Sequence, residues 1–119
     1  MHKLTFISSL ALCSFPFYGT SAAVAEGNYD KGKILAKSWE CTNCHGLTGN
    51  ERSSESPGSI SIPMLAGQPA KYLVRTLNQY KSGARPDDNE DSRMIKRAGD
   101  LSDQEIEDIA AYFSAQKRY

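Results

Sequence analysis

The stretch Cys41-Thr42-Asn43-Cys44-His45 decides how the rest of this chain is interpreted. It places an imidazole directly after the second of two closely spaced thiols. Each sulfur of such a C-x-x-C-H run can add to one vinyl group of a haem, which gives two thioether bonds. The histidine is then held beneath the porphyrin plane, where a ring nitrogen can bind the iron. The run therefore predicts one covalent haem c, with Cys41 and Cys44 as anchors and His45 as an axial ligand.

Other interpretations of these five residues explain less. A structural zinc site takes four Cys or His ligands, and beyond residue 25 the chain holds only Cys41, Cys44 and His45. A redox-active Cys pair is expected in a βαβ unit, and this sequence shows almost no strand pattern. A structural disulfide leaves His45 without a role. Haem attachment accounts for all three residues.

Residues 1–25 have the features of a secretory signal peptide. A short positive start, Met1-His2-Lys3, precedes a mostly apolar run, and Ala23-Val24-Ala25 is a small-residue cleavage site. Pro16 and several serines leave that run too short and too broken for a membrane span of about 20 residues. We expect cleavage after Ala25 and a periplasmic location.

The remaining residues, 26–119, are enough for one domain. The whole chain has 14 Lys and Arg against 14 Asp and Glu, so no basic excess points to nucleic acid or to an anionic membrane. No later apolar run is long enough to span a bilayer, and stable membrane insertion is not expected.

The hydrophobic periodicity of this domain is helical. A first amphipathic stretch covers residues 29–39 and runs into Cys41. A second helix is predicted from Pro69, at the first helical position, to Ser82-Gly83. A capping box formed by Ser102 and Glu105 begins the last helix. The apolar face of the first helix contains Gly32, Ile34, Leu35 and Trp39. That of the second helix contains Tyr72, Leu73, Leu77 and Tyr80, and that of the last helix contains Ile106, Ile109, Ala110 and Phe113.

The stretches between these helices, residues 50–62 and 84–92, are polar and predicted to be loops. A short helix is expected near Met94. We therefore predict an all-α domain with three main helices and short connecting pieces around the haem. Such a small helical chain buries only a modest core, so the haem-free form should be poorly folded.

The iron needs a second axial ligand for electron transfer, and the candidates are few. His45 is the only histidine after residue 25, so ligation by two histidines is excluded. Met64 and Met94 are the methionines of the domain, and a thioether sulfur is a soft, neutral ligand that favours reduced iron. The longer chain path, past a complete helix, favours Met94 without excluding Met64.

Six runs of the domain resemble class I c-type cytochromes, the small soluble bacterial mono-haem kind, and the domain found twice in di-haem bacterial members. The resemblance covers nearly all of residues 26–119. The runs are CxxCHG at 41–46, Pro63-Met64-Leu65-Ala66-Gly67-Gln68, Tyr72-Leu73, Tyr80-Lys81-x-Gly83-x-Arg85, Met94-x-x-x-Ala98-x-x-Leu101-Ser102 and Ala110-Ala111-Tyr112-Phe113. The implied fold is that of class I cytochrome c.

The resemblance also implies roles for single residues near the haem. Met94, which precedes the Ala-x-x-Leu-Ser run, corresponds to the distal ligand of the family. Met64 would then pack at the haem edge. The carbonyl of Pro63 is expected to accept a hydrogen bond from His45, which fixes the imidazole plane.

Three further roles follow from the same resemblance. Gly32 corresponds to a glycine that lets the first helix cross the last one closely, near Tyr112. Arg85 and Tyr80 are candidates for contact with a haem propionate.

Two features depart from the family pattern: the acidic residues at positions 87–91 and the length of the loop from His45 to Pro63. Neither feature involves the ligands.

These features predict an electron-transfer protein rather than an enzyme. It would carry single electrons between respiratory or dehydrogenase partners, free as a monomer or weak dimer, or as the haem subunit of a larger dehydrogenase complex. Two other functions stay open. A haem with an open distal site could bind gas or act as a peroxidase, although no second histidine is available for distal acid–base chemistry. An exchange module with a redox-active Cys41–Cys44 pair would carry no covalent haem.

Overall fold

The computed structural model describes residues 26–51, 62–87 and 92–119, and these ranges contain helices and no strand. The predicted signal peptide, the middle of the first loop and residues 88–91 lie outside the described residues. The all-α prediction is confirmed. In chain order the helices are α1 (Tyr29–Ser38), α2 (Cys41–His45), α3 (Ala70–Lys81), α4 (Arg93–Gly99) and α5 (Asp103–Ser114). None of them is long and apolar enough to cross a membrane.

The closest helix crossing joins α1 to α5, and it depends on a glycine. A Cβ atom on Gly32 would lie 1.9 Å from the carbonyl oxygen of Asp108 and 2.9 Å from Cβ of Tyr112. The carboxylate of Asp108 is only 2 % exposed. It accepts hydrogen bonds from the backbone N–H of Asn28 at 2.7 Å and from Nε2 of Gln104 at 2.9 Å. The two helices are therefore joined by backbone contact and by a buried carboxylate whose Oδ1 accepts both of these hydrogen bonds.

The predicted capping box begins α5 and also anchors the end of α1. Oγ of Ser102 accepts from the backbone N–H of Glu105, and the Glu105 carboxylate accepts from the backbone N–H of Ser102 at 2.8 Å. Its other oxygen accepts from Nε1 of Trp39 at 3.1 Å. One side chain thus stabilises a helix start and fixes the indole that follows α1.

The core lies between α1, α3 and α5. Phe113 and Ile106 are its largest fully buried side chains, and Leu73 and Leu101 join them from the two sides. The hydroxyl of Tyr112 donates to the carbonyl of Leu47, which ties α5 to the turn after α2.

The structure differs from the sequence prediction at three places. The stretch expected to run from residue 29 into Cys41 is interrupted at Glu40, whose backbone is left-handed with φ 59°, so α2 is a separate turn. Ile34, predicted on the buried face, is 67 % exposed, because the face at three- and four-residue spacing is formed by Gly32 and Ala36. Pro69 precedes the first helical residue of α3 instead of occupying it.

Candidate functional site

The short helix α2 brings the two thiols and the imidazole to one face. Cys41, Cys44 and His45 occupy positions i, i+3 and i+4, which are neighbours on a helical surface. The imidazole is 5 % exposed, Cys41 is half-buried and Cys44 is exposed. Both cysteines are free thiols. Burial raises the pKa of the Cys41 thiol to about 11, which disfavours the thiolate that disulfide exchange requires.

A hydrogen bond fixes the orientation of the His45 ring. Nδ1 of His45 lies 2.9 Å from the carbonyl oxygen of Pro63. A carbonyl can only accept, so Nδ1 carries the proton and Nε2 keeps its lone pair. Burial lowers the pKa of His45, while the bond to Pro63 raises it by a smaller amount. The imidazole is therefore held neutral, which is the form that binds a metal ion.

A pair of loop segments brings Pro63 to His45. The carbonyl of Gly49 accepts from the backbone N–H of Leu65 at 2.8 Å and from that of Ala66 at 3.0 Å. Gly49 has a φ of 74°, and a Cβ atom there would lie 2.7 Å from Cδ1 of Phe113. The glycine is thus required both by its backbone conformation and by its contact with the core.

The predicted site residues surround one cavity of about 800 Å³. This volume lies within the roughly 300–1,000 Å³ of typical cofactor sites. Cys41, Cys44, His45, Pro63 and Met94 all contribute to its wall, and so does Met64. The apolar part of the wall comes from α3, α5 and the residues beside them, including Tyr72, Leu73, Leu77, Leu101, Ile109 and Phe113.

Met94 reaches the cavity from α4. The backbone N–H of Met94 donates to Oδ2 of Asp87 at 2.6 Å, which satisfies a free donor at the start of this helix. Within the described ranges, the backbone of α4 comes close to that of α3 and of no other helix. Met94 is therefore supplied by a separate helix, far along the chain from α2.

Charged and polar side chains lie at the rim of the cavity. Arg97 on α4 forms an ion pair with Glu40, the residue before Cys41. The guanidinium carbon of Arg85 lies 5.3 Å from the ring centre of Tyr80, and both residues contribute to the cavity wall. The two candidates for propionate contact are thus adjacent to each other.

This arrangement fits a covalently attached haem. Two thiols, a neutral buried imidazole and a thioether face one largely apolar cavity of suitable size. In the part of the chain that the structure describes, no group of three or more His, Cys, Asp or Glu side chains is arranged to hold a metal ion.

Comparison with known proteins also indicates a haem-binding protein. The sequence profile described as "Cytochrome c" matches residues 29–117, most of the chain. The chain belongs to the cytochrome c family. Membership implies a covalently bound haem c, and the C-x-x-C-H run at Cys41, Cys44 and His45 is consistent with its attachment.

The cytochrome is similar to cytochrome c4 of Stutzerimonas stutzeri, with 38% identity over 104 residues, 83% of this chain and 45% of that protein. It is also 40% identical over 78 residues to cytochrome c-554(548) of Halomonas halodenitrificans, covering 65% of this chain and 84% of that one. The crystal structure of reduced recombinant cytochrome c4 from Pseudomonas stutzeri matches with a TM-score of 0.59 and 38% identity, over 78% of this chain and 47% of that chain. The cytochrome therefore spans under half the length of its cytochrome c4 relatives, and its class I fold is confirmed.

The side chains that support α4 could not be identified from the sequence. Asp87 accepts a hydrogen bond from Met94, and Arg97 forms an ion pair with Glu40. No regular spacing in the sequence distinguishes these two residues from other charged surface residues. Glu40 precedes the C-x-x-C-H run directly, but nothing in the sequence indicates its left-handed backbone. One sequence feature could have drawn attention to these residues: Glu40 is adjacent to Cys41, and Arg97 and Asp87 lie near Met94 in the sequence.

Proposed function

We propose that this cytochrome is a periplasmic single-electron carrier with one haem c, bound through Cys41 and Cys44 and ligated by His45 and Met94. The observation that carries the proposal is the convergence of these four side chains on one largely apolar cavity. The family assignment supports the covalent haem. The signal-peptide pattern of residues 1–25 supports the location.

The choice of Met94 over Met64 rests on the position of Pro63. The carbonyl of Pro63 is bound to the imidazole of His45, and the Cα atoms of consecutive residues are only about 3.8 Å apart. Met64 therefore stays beside the His45 side of the cavity. Met94, on a helix that packs against α3, is the candidate for the opposite side.

When bound, the haem iron supplies a ferric–ferrous couple that takes up or releases one electron. The residues of the chain set how readily this happens. The Pro63 carbonyl orients the His45 ring and increases its basicity, whereas the neutral thioether of Met94 favours the reduced state. The apolar side chains of α3 and α5 exclude water. His45 and Met94 would hold the iron between them, which would leave no open position for a substrate on the metal.

The partners of this carrier would be redox proteins that donate and accept electrons by weak, short-lived docking. The names of two relatives mention a dehydrogenase partner. They are a "Thiosulfate dehydrogenase electron acceptor" of Stutzerimonas stutzeri (40% identity) and a "Cytochrome subunit of sulfide dehydrogenase" of Chlorobaculum tepidum (32% identity). The second name supports one further candidate function, the haem subunit of a dehydrogenase complex. Size-exclusion chromatography of the native protein separates the two, because a carrier elutes as a monomer or weak dimer and a subunit elutes in a larger assembly.

A redox titration of the matured protein, combined with carbon monoxide addition, tests the proposal. We expect a single one-electron transition, one haem for each chain and no carbon monoxide uptake by the reduced protein. Ready carbon monoxide binding by the wild-type protein would contradict the closed site, and would favour gas binding or peroxidase-like chemistry instead.

A further inference from the structure

An ion pair links the two sides of the cavity at its rim. Glu40 lies immediately before Cys41, and Arg97 lies three residues after Met94, one turn along α4. The guanidinium of Arg97 contacts the carboxylate of Glu40 directly. Both side chains contribute to the cavity wall. The pair therefore joins the segment that carries the attachment cysteines to the helix that carries the candidate distal ligand.

The backbone does not make this connection. In the ranges that the structure describes, α4 packs against α3, and no close backbone approach joins it to α1, α2 or α5. Its first turn is held by the hydrogen bond from Met94 to Asp87. The Glu40–Arg97 ion pair is a side-chain link between α4 and the residue that precedes α2.

The backbone of Glu40 gives an independent observation. Its φ of 59° is left-handed, and Ser92 is the other non-glycine residue with positive φ among those described. L-residues adopt this conformation at a cost, and it persists where the surroundings impose it. Glu40 separates α1 from α2 in this conformation, while its carboxylate pairs with α4. Ser92 immediately precedes α4, as Glu40 immediately precedes α2. The two left-handed residues therefore stand at the starts of the two helices that the Glu40–Arg97 ion pair connects.

We propose that Glu40 and Arg97 are positioning residues that keep α4 close to α2, and so keep the sulfur of Met94 on the iron. This inference rests on the proposed His45/Met94 ligation. The two side chains are 50 % and 55 % exposed, so the pair is partly screened by water. Pairs of this kind shift an equilibrium by roughly two- to fivefold, and the effect should have this size.

Imidazole binding to the ferric holoprotein measures the equilibrium concerned. Imidazole binds the iron as the Met94 sulfur leaves it, without any change in oxidation state, so its apparent Kd reports how easily Met94 is displaced. It is also uncharged above its own pKa, so a changed surface charge has little effect on its approach. We expect Glu40→Gln and Arg97→Gln each to lower the apparent Kd about two- to fivefold.

Matched variants separate this role from a general loss of charge or stability. Lys71→Gln removes one positive charge from an exposed position on the neighbouring helix α3, outside the cavity wall, and should leave the apparent Kd unchanged. Lys81→Gln removes the 2.9 Å ion pair with Asp103 between α3 and α5, and should also leave it unchanged. Arg97→Lys and the charge-reversed double variant Glu40→Arg/Arg97→Glu should restore most of the wild-type value. High salt should reduce the difference between Arg97→Gln and wild type.

Each outcome decides the inference. Tighter imidazole binding in both single variants, with recovery in the double variant and unchanged controls, supports it. If Met94→Ala strongly increases imidazole affinity while Glu40→Gln and Arg97→Gln do not, the ligation stands and the positioning role is wrong. If Met94→Ala itself changes nothing, the ligation is wrong and the inference fails with it.

Discussion

The His45 side and the Met94 side of the cavity are built in different ways. The His45 side is local: one helical turn carries both thiols and the imidazole, and the Pro63 carbonyl fixes the ring at 2.9 Å. The Met94 side depends on a separate seven-residue helix that packs against one other helix and is linked to α2 by a half-exposed ion pair. One side is therefore specified largely by one helical turn and its contact with Pro63, and the other by the tertiary contacts of a separate helix.

This difference predicts which ligand is released first. His45 is held by α2, by the Pro63 carbonyl and by the loops paired through Gly49, whereas Met94 lies on a short helix whose backbone approaches only α3 among the described helices. Local opening takes place where few buried contacts oppose it. We therefore expect denaturant or competing ligands to displace Met94 well before His45.

Removing the attachment cysteines should have the largest effect, because it removes the covalent haem from the His45 side. Cys41→Ala/Cys44→Ala is expected to retain no haem after denaturing electrophoresis, and the protein without haem should not melt cooperatively. The small helical core alone is too little to offset the entropy of folding. Haem staining and circular dichroism measure the two effects. A cooperative melt of the haem-free variant would contradict the claim that haem completes the core.

Removing the candidate distal ligand should open the iron while the covalent haem remains. Met94→Ala is expected to bind carbon monoxide stoichiometrically in the reduced state and to have a lower reduction potential than the wild type. Met64→Leu is the matched control, because Met64 also contributes to the cavity wall, and it should show neither change. Carbon monoxide binding by Met64→Leu instead would reverse the assignment of the two methionines.

Disturbing the α1–α5 crossing should weaken both sides of the cavity together. Gly32→Ala introduces a Cβ atom 1.9 Å from the Asp108 carbonyl oxygen, and such overpacking lowers the free energy of unfolding by about 1–3 kcal/mol. Gly99→Ala is the control, since apart from its chain neighbours and the backbone of its own helix nothing lies within 4 Å of the added Cβ, and it should stabilise the protein by about 0.5–1 kcal/mol. Chemical denaturation measures both. Equal stability of the two variants would show that the crossing tolerates movement.

The smallest expected effect concerns Glu105, which supports Trp39 beside the His45 side. Hydrogen bonds from Ser102 and Trp39 hold the pKa of this carboxyl below its usual value. A lowered native pKa contributes stability above the ordinary carboxyl pKa, and this contribution is lost as the pH falls through the lowered value. Glu105→Gln should therefore be less stable than wild type at pH 7, and the difference should shrink below about pH 4.5, in the ordinary carboxyl range. A difference that is constant from pH 7 to pH 3 would contradict this linkage.

The His45 side could be predicted from the sequence to a greater extent than the Met94 side. The C-x-x-C-H run is contiguous, and helical spacing alone brings Cys41, Cys44 and His45 to one face. The capping box at Ser102 was likewise predictable, because its two residues are three positions apart. Each of these features depends on local geometry, which a sequence records directly.

The remaining features depend on contacts between distant segments. Arg97 and Asp87 could not be selected, because exposed charged residues are common and a single sequence does not show which of them meet. Ile34 was placed on the wrong face of α1, since hydrophobicity marked it as buried while the close crossing used the smaller Gly32 and Ala36. The left-handed backbone of Glu40 has no signal of its own, because glutamate rarely adopts it.

The most direct test of the His45/Met94 ligation is the far-red absorption spectrum, close to the near-infrared, of the oxidised, matured protein. Methionine sulfur on ferric haem gives a weak band in this region. The account predicts that the band is present in the wild type, kept in Met64→Leu and lost in Met94→Ala. A wild-type protein without the band, or a band that survives Met94→Ala, would contradict the assignment of His45 and Met94 as the two axial ligands.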